Sequence, residues 1–168
     1  MTEVLEKTTF REATGDILSY PAQAIVIPTN MQYKMRTKKV AVAIMGAGLA
    51  KAAAKKWPRL PEHLGKSLQI QNEYQSFATS PYCYWEPDTD EPVVACLPTK
   101  HHYRDDSSLG LISVMLDGLV GLADANGWTE VAVPRLGCGL GNRDWITEVK
   151  PLMESKLDSR FVVVTKGC

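Results

Sequence analysis

The chain has 168 residues, of which 45% are hydrophobic and 23% charged, values typical of one folded globular domain. They are not the values of a disordered, collagen-like or coiled-coil chain. Nineteen basic residues balance nineteen acidic ones, which argues against a whole-surface attraction to nucleic acid or to an anionic membrane. An anionic ligand therefore requires a local site that supplies the donors.

The sequence indicates neither secretion nor membrane insertion. Residues 1–7 are polar and acidic, unlike a secretory signal, and the longest apolar runs, such as 40–45, are far shorter than a membrane span. The four cysteines lack the spacing of a metal site or a disulfide framework: Cys83, Cys96, Cys138 and Cys168. We therefore expect free thiols, an exposed Cys168 and a cytoplasmic protein without a membrane partner.

Strand and helix patterns alternate along the chain, which predicts an α/β fold with a single domain over residues 1–168. Residues 8–13 are expected to form the first strand. The apolar run 24–28 contains β-branched residues and predicts a central strand that is buried on both faces. Residues 30–39 are polar and basic without a clear period, so we expect a loop there.

A helix is predicted over residues 46–57, beginning within its glycines, and the two prolines that follow prevent its continuation. Four residues fall on its apolar face: Leu49, Ala50, Ala53 and Trp57. Residues 82–85 and 93–97 are predicted strands. The turn between them is rich in proline and aspartate, which indicates a hairpin.

The longest predicted helix spans residues 107–125, with a serine pair as the candidate cap and Gly127 after its end. Residues 129–134 are a predicted strand that leads into a glycine-rich loop. A last helix is expected to end near Lys156, and residues 160–165 are the last predicted strand.

Three junctions between these elements carry unusual turns: Gly15-Asp16-Ile17, Gly46-Ala47-Gly48, and the Gly-Cys-Gly-Leu-Gly of residues 137–141. Glycine lets a ligand approach backbone amides closely, and amides at a helix N-terminus bind phosphate. Two such loops beyond the carboxyl ends of strands can hold a diphosphate from both sides. For either loop alone a plain turn is the simpler explanation, and neither matches a Walker A or G-x-G-x-x-G pattern.

Taken in chain order, these segments resemble the macrodomain family. The matching segments are Gly15-Asp16-Ile17-Leu18, residues 44–50 with the basic helix that ends in Trp57-Pro58, and residues 133–141 followed by Asp144-Trp145 and 149–152. The resemblance covers nearly the whole chain. It implies a three-layer α/β/α fold with a mixed central sheet.

Residues 97–104 (LPTKHHYR) are similar to the Pro-Thr-Lys-x-His-aromatic-Arg segment of one macrodomain branch. That branch contains terminal ADP-ribose glycohydrolases and the antitoxin macrodomains that remove ADP-ribose from thymidine in DNA. Its catalytic lysine corresponds to Lys100. The resemblance therefore implies an ADP-ribosyl hydrolase that removes mono-ADP-ribose from a nucleic-acid base or a protein carboxylate.

The resemblance also implies binding roles. Asp16 corresponds to the acidic residue that accepts a hydrogen bond from the adenine amino group, with Ile17 beside it, and Asn30 corresponds to an asparagine near the distal ribose. The other implied ligand-binding residues belong to the two glycine loops: Gly46, Ala47, Gly48, Gly137, Cys138, Gly139, Leu140 and Gly141. ADP-ribose is then a ligand or product of a monomer that uses no cofactor and no metal.

Two features depart from the family pattern. Residues 31–42 form a longer and more basic link than the family has between the asparagine and the first glycine loop. Some members also carry, at the position of Gly141, an aspartate that helps to resolve a covalent lysine intermediate. In this chain Asp105, Asp106 and Asp144 are the candidates to replace that aspartate.

Lys100 admits two chemical roles. As a free amine it would attack the anomeric carbon of the distal ribose, and as a charged group it would stabilise the leaving group. Without the resemblance, a solvated lysine at a loop edge explains it better. If the segment is extended, His101 and His102 point opposite ways, so only one of them can line a pocket with Tyr103.

Two further questions stay open at this level. The basic stretch of Lys34, Arg36, Lys38 and Lys39 is either a solvated loop or a phosphate-contacting arm for a nucleic-acid substrate. The alternatives to a hydrolase are an ADP-ribose 1″-phosphate phosphatase or O-acetyl-ADP-ribose deacetylase, and a non-catalytic module that binds ADP-ribose.

Overall fold

The computed structural model describes residues 9–74 and 80–166. The strands are β1 (Arg11–Thr14), β2 (Ala24–Thr29), β3 (Tyr33–Thr37), β4 (Val40–Ala43), β5 (Tyr82–Tyr84), β6 (Val93–Pro98), β7 (Val131–Val133) and β8 (Phe161–Thr165). The helices are α1 (Gly48–Lys56), α2 (Leu60–Glu73), α3 (Leu109–Asn126) and α4 (Lys150–Lys156). The expectations for residues 1–8 and for Cys168 lie outside the described residues.

Six strands form one mixed sheet in the order β1-β8-β7-β2-β6-β5. All neighbouring strands are parallel except β5 and β6, which form the predicted antiparallel hairpin. The carboxyl ends of β1, β8, β7, β2 and β6 therefore share one edge of the sheet. Side chains and loops that follow those strands gather along that edge.

The sheet is the middle of three layers, as predicted. Successive side chains of β2 point to opposite faces, so Ala24 and Val26 pack with α3 and α4, whereas Ile25 and Ile27 pack with α1 and α2. All four side chains are fully buried. This burial on both faces is why β2 is an almost uninterrupted apolar run, and it confirms β2 as a central strand.

The two long predicted helices are confirmed, with small shifts at their ends. α1 buries Ala53, and Trp57 directly after it is also buried, while its lysines are exposed. The Ser108 side chain accepts a hydrogen bond from the Leu111 N–H at 3.2 Å and caps α3. Gly127 adopts φ 65° after the last turn, a left-handed conformation that favours glycine.

The helix α2 has no counterpart among the sequence predictions. The prolines after α1 end that helix, but Pro61 then lies in the first turn of α2. Proline is well tolerated there because the first N–H groups of a helix have no intrahelical acceptor. Prolines that prevent α1 from continuing therefore do not prevent a second helix from beginning directly after it.

The prediction of a loop over residues 30–39 is wrong. β3 and β4 pair antiparallel as a separate two-stranded sheet, and β3 carries Lys34 and Arg36. The glycine of α2, Gly65, lies directly against the β4 backbone, since a Cβ there would come 2.6 Å from the Ala41 carbonyl oxygen. Packing against α2 orders the hairpin, and no local pattern of the sequence reports that contact.

The helix α3 has the length and mean hydropathy, 1.4, of a helix that could cross a membrane. Its buried side chains, Ile112 and Leu116 among them, pack into the core beside the sheet, and core helices of globular proteins share this composition. Asp117 and Asp124 interrupt the apolar sequence, which is why no long uninterrupted run marks it.

Candidate ligand-binding cleft

A cleft of about 550 Å³ opens at the carboxyl ends of β2, β6 and β7. Clefts of this size accommodate ligands of cofactor or nucleotide size. Nine of the residues that the sequence singled out line it: Asn30, Gly46, Ala47, Gly48, Lys100, Gly137, Gly139, Leu140 and Gly141. Both glycine loops and the candidate catalytic lysine therefore lie at one site.

The first glycine loop leads into α1 without a side-chain cap. Ala47 is the N-cap residue, and its side chain makes no hydrogen bond to the helix. The N–H groups of Gly48, Leu49 and Ala50 belong to the first turn, where a helix supplies no acceptor. These residues line the cleft, so the positive end of α1 faces the space that a ligand would fill.

The second glycine loop is held by hydrogen bonds that leave its central amides free. The Arg143 N–H donates to the Gly137 carbonyl at 2.8 Å, and the Asn142 N–H donates to the Gly139 carbonyl at 3.2 Å. Among the described residues, no acceptor is found for the N–H groups of Gly139, Leu140 and Gly141. A compact turn with unpaired amides is an arrangement that binds anions.

The two loops face each other across the cleft. Gly48 has φ 58°, and a Cβ at this position would lie 3.3 Å from Cδ1 of Leu140. The Leu140 side chain, which is 65% exposed, therefore reaches over to the first loop. A ligand between the loops would be in contact with amides from both sides.

Lys100 follows β6 and is positioned by its neighbour in the chain. The Thr99 N–H donates to the Thr29 carbonyl at 2.9 Å, and the Thr99 carbonyl accepts from the Ser108 N–H at 2.8 Å. Lys100 Nζ lies 3.5 Å from the Leu140 carbonyl oxygen. The lysine is half-buried and thus extends from the end of β6 to the second glycine loop.

The charged side chains that line the cleft are cationic. They are Lys100 and Arg135, and no carboxylate is found among the described lining residues. Neither cation has an ion-pair partner within 4.0 Å in the described part of the chain. An anionic ligand fits this charge distribution without displacing an ion pair.

The three aspartates considered as helpers of Lys100 are engaged elsewhere. Asp105 accepts from the His102 N–H, and Asp106 accepts from the side-chain amide of Asn142. Asp144 caps the π-helical turn Trp145–Val149, and its hydrogen bonds to Thr147 lower the pKa of that carboxyl. All three lie outside the residues that line the cleft.

Asn30 lines the cleft, but its side chain serves the backbone. Its Nδ2 donates to the Ile44 carbonyl at 3.0 Å, and its Oδ1 accepts from the Gln32 N–H at 2.8 Å. These bonds hold residues 30–32, which lead into β3, against Ile44, the residue that follows β4. A role of Asn30 beside the distal ribose stays a prediction. In that role the side-chain amide would use its second N–H or the second lone pair of its oxygen.

Asp16, Ile17 and Cys138 are predicted site residues that do not line the cleft. The Asp16 carboxylate accepts from the Leu18 N–H at 3.0 Å and caps a 3₁₀ turn after β1, at the same sheet edge as the cleft. Ile17 is the first residue of that turn, and its side chain is buried in the core. The Cys138 N–H donates to the Arg135 carbonyl at 3.3 Å.

The thiol of Cys138 is not a nucleophile at neutral pH. Burial raises its pKa to about 11, although the nearby Arg135 guanidinium opposes the shift. Its Sγ lies 3.4 Å from the Leu136 carbonyl and donates to it. A thiol with this pKa remains protonated, and only the thiolate is reactive.

The segment after Lys100 is a turn, so the condition under which His101 and His102 would point opposite ways, an extended chain, is not met. The His102 ring stacks on Tyr103 with a centroid distance of 4.2 Å, and its Nδ1 accepts from the Arg104 N–H. His101 is exposed and contacts Gln32. Tyr103 joins Lys100 in the cleft lining, and neither histidine does.

Three buried hydroxyl residues of the cleft lining have no predicted role at the site: Thr29, Thr99 and Ser107. Position in the sequence could have indicated Thr29 and Thr99, because Thr29 ends β2 and Thr99 directly follows β6. Ser107 was considered only as a helix cap. No local signal marks its contact with the second glycine loop, where its N–H donates to the Gly141 carbonyl at 2.9 Å.

In residues 9–74 and 80–166, no group of three or more His, Cys, Asp or Glu side chains is arranged to hold a metal ion.

Neither a family model nor a curated protein matches the chain. Solved structures match it over nearly its whole length. The macrodomain of DarG from Thermus aquaticus superposes with a TM-score of 0.75 at 24% identity, covering 95% of this chain and 99% of that one. The chain has the macrodomain fold. The macrodomain of Mycobacterium tuberculosis DarG gives a TM-score of 0.71 at 22% identity, with 96% and 99% covered.

A third similar structure is Thermosipho africanus DarTG in complex with ADP-ribose. Its TM-score is 0.69 at 24% identity, and the match covers 92% of this chain and 41% of that one. The sequence predicted three layers and a mixed sheet, and the structure adds the order of the strands in that sheet. Within this fold, the cleft between the glycine loops is the candidate functional site.

Proposed function

We propose that the chain binds ADP-ribose in this cleft and hydrolyses the bond between mono-ADP-ribose and a modified macromolecule. One observation carries the proposal: unpaired amides of two facing loops, and the cation Lys100, line the same cleft. A pyrophosphate offers the acceptors that such amides lack. The similar structure of a DarTG protein, which holds ADP-ribose, supports the same ligand class.

The sheet edge has a length that suits this ligand. Asp16 follows β1 and Lys100 follows β6, four inter-strand spacings apart in the sheet. At about 4.8 Å per spacing this is roughly 19 Å. A ligand that carries adenine near Asp16 and its distal ribose near Lys100 would run along the edge, with the diphosphate between the two glycine loops.

Lys100 is the proposed catalytic residue at the distal ribose. In one form of the reaction its free amine attacks the anomeric carbon, the modified group leaves with a proton, and water then cleaves the C–N bond to the lysine. In the other form the charged amine stabilises the leaving group while water attacks directly. In the first form, opening of the sugar ring converts the lysine adduct into an imine, which borohydride reduces to a stable secondary amine. The second form leaves no adduct to reduce.

The decisive test incubates the wild-type chain in parallel with mono-ADP-ribosylated DNA and with protein that carries ADP-ribose on a carboxylate. We expect release of ADP-ribose from one of the two, which identifies the substrate class. Lys100→Ala should lower turnover about 10²- to 10³-fold, the usual effect of losing one group that acts on the transition state. Its affinity for ADP-ribose, measured by calorimetry, should stay within about threefold.

Lys55→Ala is the matched control, because Lys55 is an exposed lysine of α1 outside the cleft lining. It should retain both turnover and binding. Binding without turnover in the wild type would support a non-catalytic module instead. Turnover limited to ADP-ribose 1″-phosphate or O-acetyl-ADP-ribose would replace the hydrolase proposal with the corresponding phosphatase or deacetylase.

A further inference from the structure

Thr29, the last residue of β2, carries a buried hydroxyl without a partner. The residue is 5% exposed and lines the cleft, yet its Oγ1 has no hydrogen-bond partner among the described residues. Burial removes the hydrogen bonds that this hydroxyl makes to water, so an unpaired threonine is less stable there than a methyl group of the same shape. Such a group requires an explanation.

The surroundings of Thr29 place it at the Lys100 end of the cleft. Among the described residues the buried polar side chains are Thr29, Thr99 and Ser107, and all three line the cleft. The Ser107 hydroxyl donates to Thr99 Oγ1 at 3.3 Å, so that pair is satisfied. Thr29 bonds to Thr99 through its backbone carbonyl, and Lys100 is the next residue. The unpaired hydroxyl therefore lies beside the proposed reacting end.

We propose that Thr29 is a positioning residue for the ligand, and that its hydroxyl hydrogen-bonds to a hydroxyl group of the distal ribose. The inference rests on the proposed function. Thr29 lines the cleft, and this role requires that rotation about its Cα–Cβ bond, between staggered positions, turns the buried hydroxyl toward the ligand. A threonine both donates and accepts, as a ribose hydroxyl does. The diphosphate has its own donors in the loop amides, which leaves Thr29 to the sugar.

The test compares Thr29→Val, Thr29→Ser and the wild type by titration calorimetry with ADP-ribose and with ADP, which lacks the distal ribose. Thr29→Val should weaken ADP-ribose binding about three- to tenfold, the effect of one neutral hydrogen bond. Its affinity for ADP should remain that of the wild type. Thr29→Ser keeps the hydroxyl and should bind both ligands nearly as the wild type does.

The melting temperature of the ligand-free chain separates this role from a structural one. Thr29→Val should melt at or above the wild-type temperature, because the substitution removes an unpaired buried hydroxyl. A lower melting temperature, equal losses for ADP and ADP-ribose, or unchanged ADP-ribose affinity would overturn the role of Thr29. Failure of the wild type to bind ADP-ribose at all would overturn the proposed function together with this inference.

Discussion

Gly141 and Ser107 determine how the second glycine loop is seated. A Cβ at Gly141 would overlap the Ser107 hydroxyl and come within 2.6 Å of the Gly137 carbonyl oxygen. The Ser107 hydroxyl is buried, and the Gly137 atoms belong to the backbone, which cannot rotate aside as a side chain can. A side chain at position 141, an aspartate included, therefore does not fit the loop as it is seated here.

We expect Gly141→Ala to destabilise the fold by about 1–3 kcal/mol, the range for forcing extra atoms into a packed site. Gly139→Ala is the matched control in the same loop, because a Cβ there meets no atom within 4 Å. Its free energy of unfolding should stay within about 0.5 kcal/mol of the wild type. Urea unfolding of both variants gives the comparison, and equal stabilities would show that the loop is not seated on Ser107.

The sequence predicted the roles of residues that act through their backbone amides. It did not predict roles that depend on tertiary contacts. Glycines flanking Ala47 and Cys138 mark loops whose amides can approach a ligand, and the structure brings both loops to one cleft. The unpaired hydroxyl of Thr29 depends on burial from several sides, which no local pattern encodes. Asn30 was identified through the family resemblance, but its hydrogen bonds to the backbone become visible only in the fold.

At the scale of elements, the β3–β4 hairpin carries positive charge along its length, with Lys38 and Lys39 in the turn between its strands. Ile44 and Met45 follow β4 and line the cleft, so the hairpin ends at its rim. Arg36 pairs with Glu62 at 3.4 Å. In the described part of the chain no carboxylate pairs with the other hairpin cations, Lys34, Lys38 and Lys39.

We expect the triple substitution of Lys34, Lys38 and Lys39 with Gln to weaken binding of an ADP-ribosylated oligonucleotide and to leave binding of free ADP-ribose unchanged. Each phosphate contact to a single strand contributes about 0.7 to the slope of log Kd against log salt, so the slope should fall by about two. The charge-matched control replaces three exposed helix lysines with Gln: Lys51, Lys55 and Lys66. An identical effect of both triple variants would show that the hairpin is only a solvated basic segment.

Helices and strands that have a strong local sequence pattern were predicted, and those that depend on packing against distant segments were not. β2 and α3 were predicted because burial imposes a strong apolar pattern on them. The hairpin was missed because its exposed cations conceal the alternation, and α2 was missed because its first-turn proline was interpreted only as a helix breaker. Both missed elements pack against each other through Gly65, a contact between residues distant in sequence.

At the scale of the whole molecule, the position of the cleft follows from one edge of the central sheet. Parallel strands bring their carboxyl ends together, so segments after β2, β6 and β7, far apart in sequence, form one cleft. The neutral net charge of the chain is compatible with an anionic ligand because the two charged side chains of the described cleft lining are both cationic. The fold supplies the position of each group, and the loops supply the unpaired donors.

A crystal structure of the chain with ADP-ribose tests the central claim most directly. The account predicts pyrophosphate oxygens about 2.7–3.2 Å from backbone N–H groups of both loops, at Gly48–Ala50 and at Gly139–Gly141. It also predicts the distal ribose beside Lys100 and Thr29. A pyrophosphate that contacts only one loop, or that binds away from this cleft, would contradict the account.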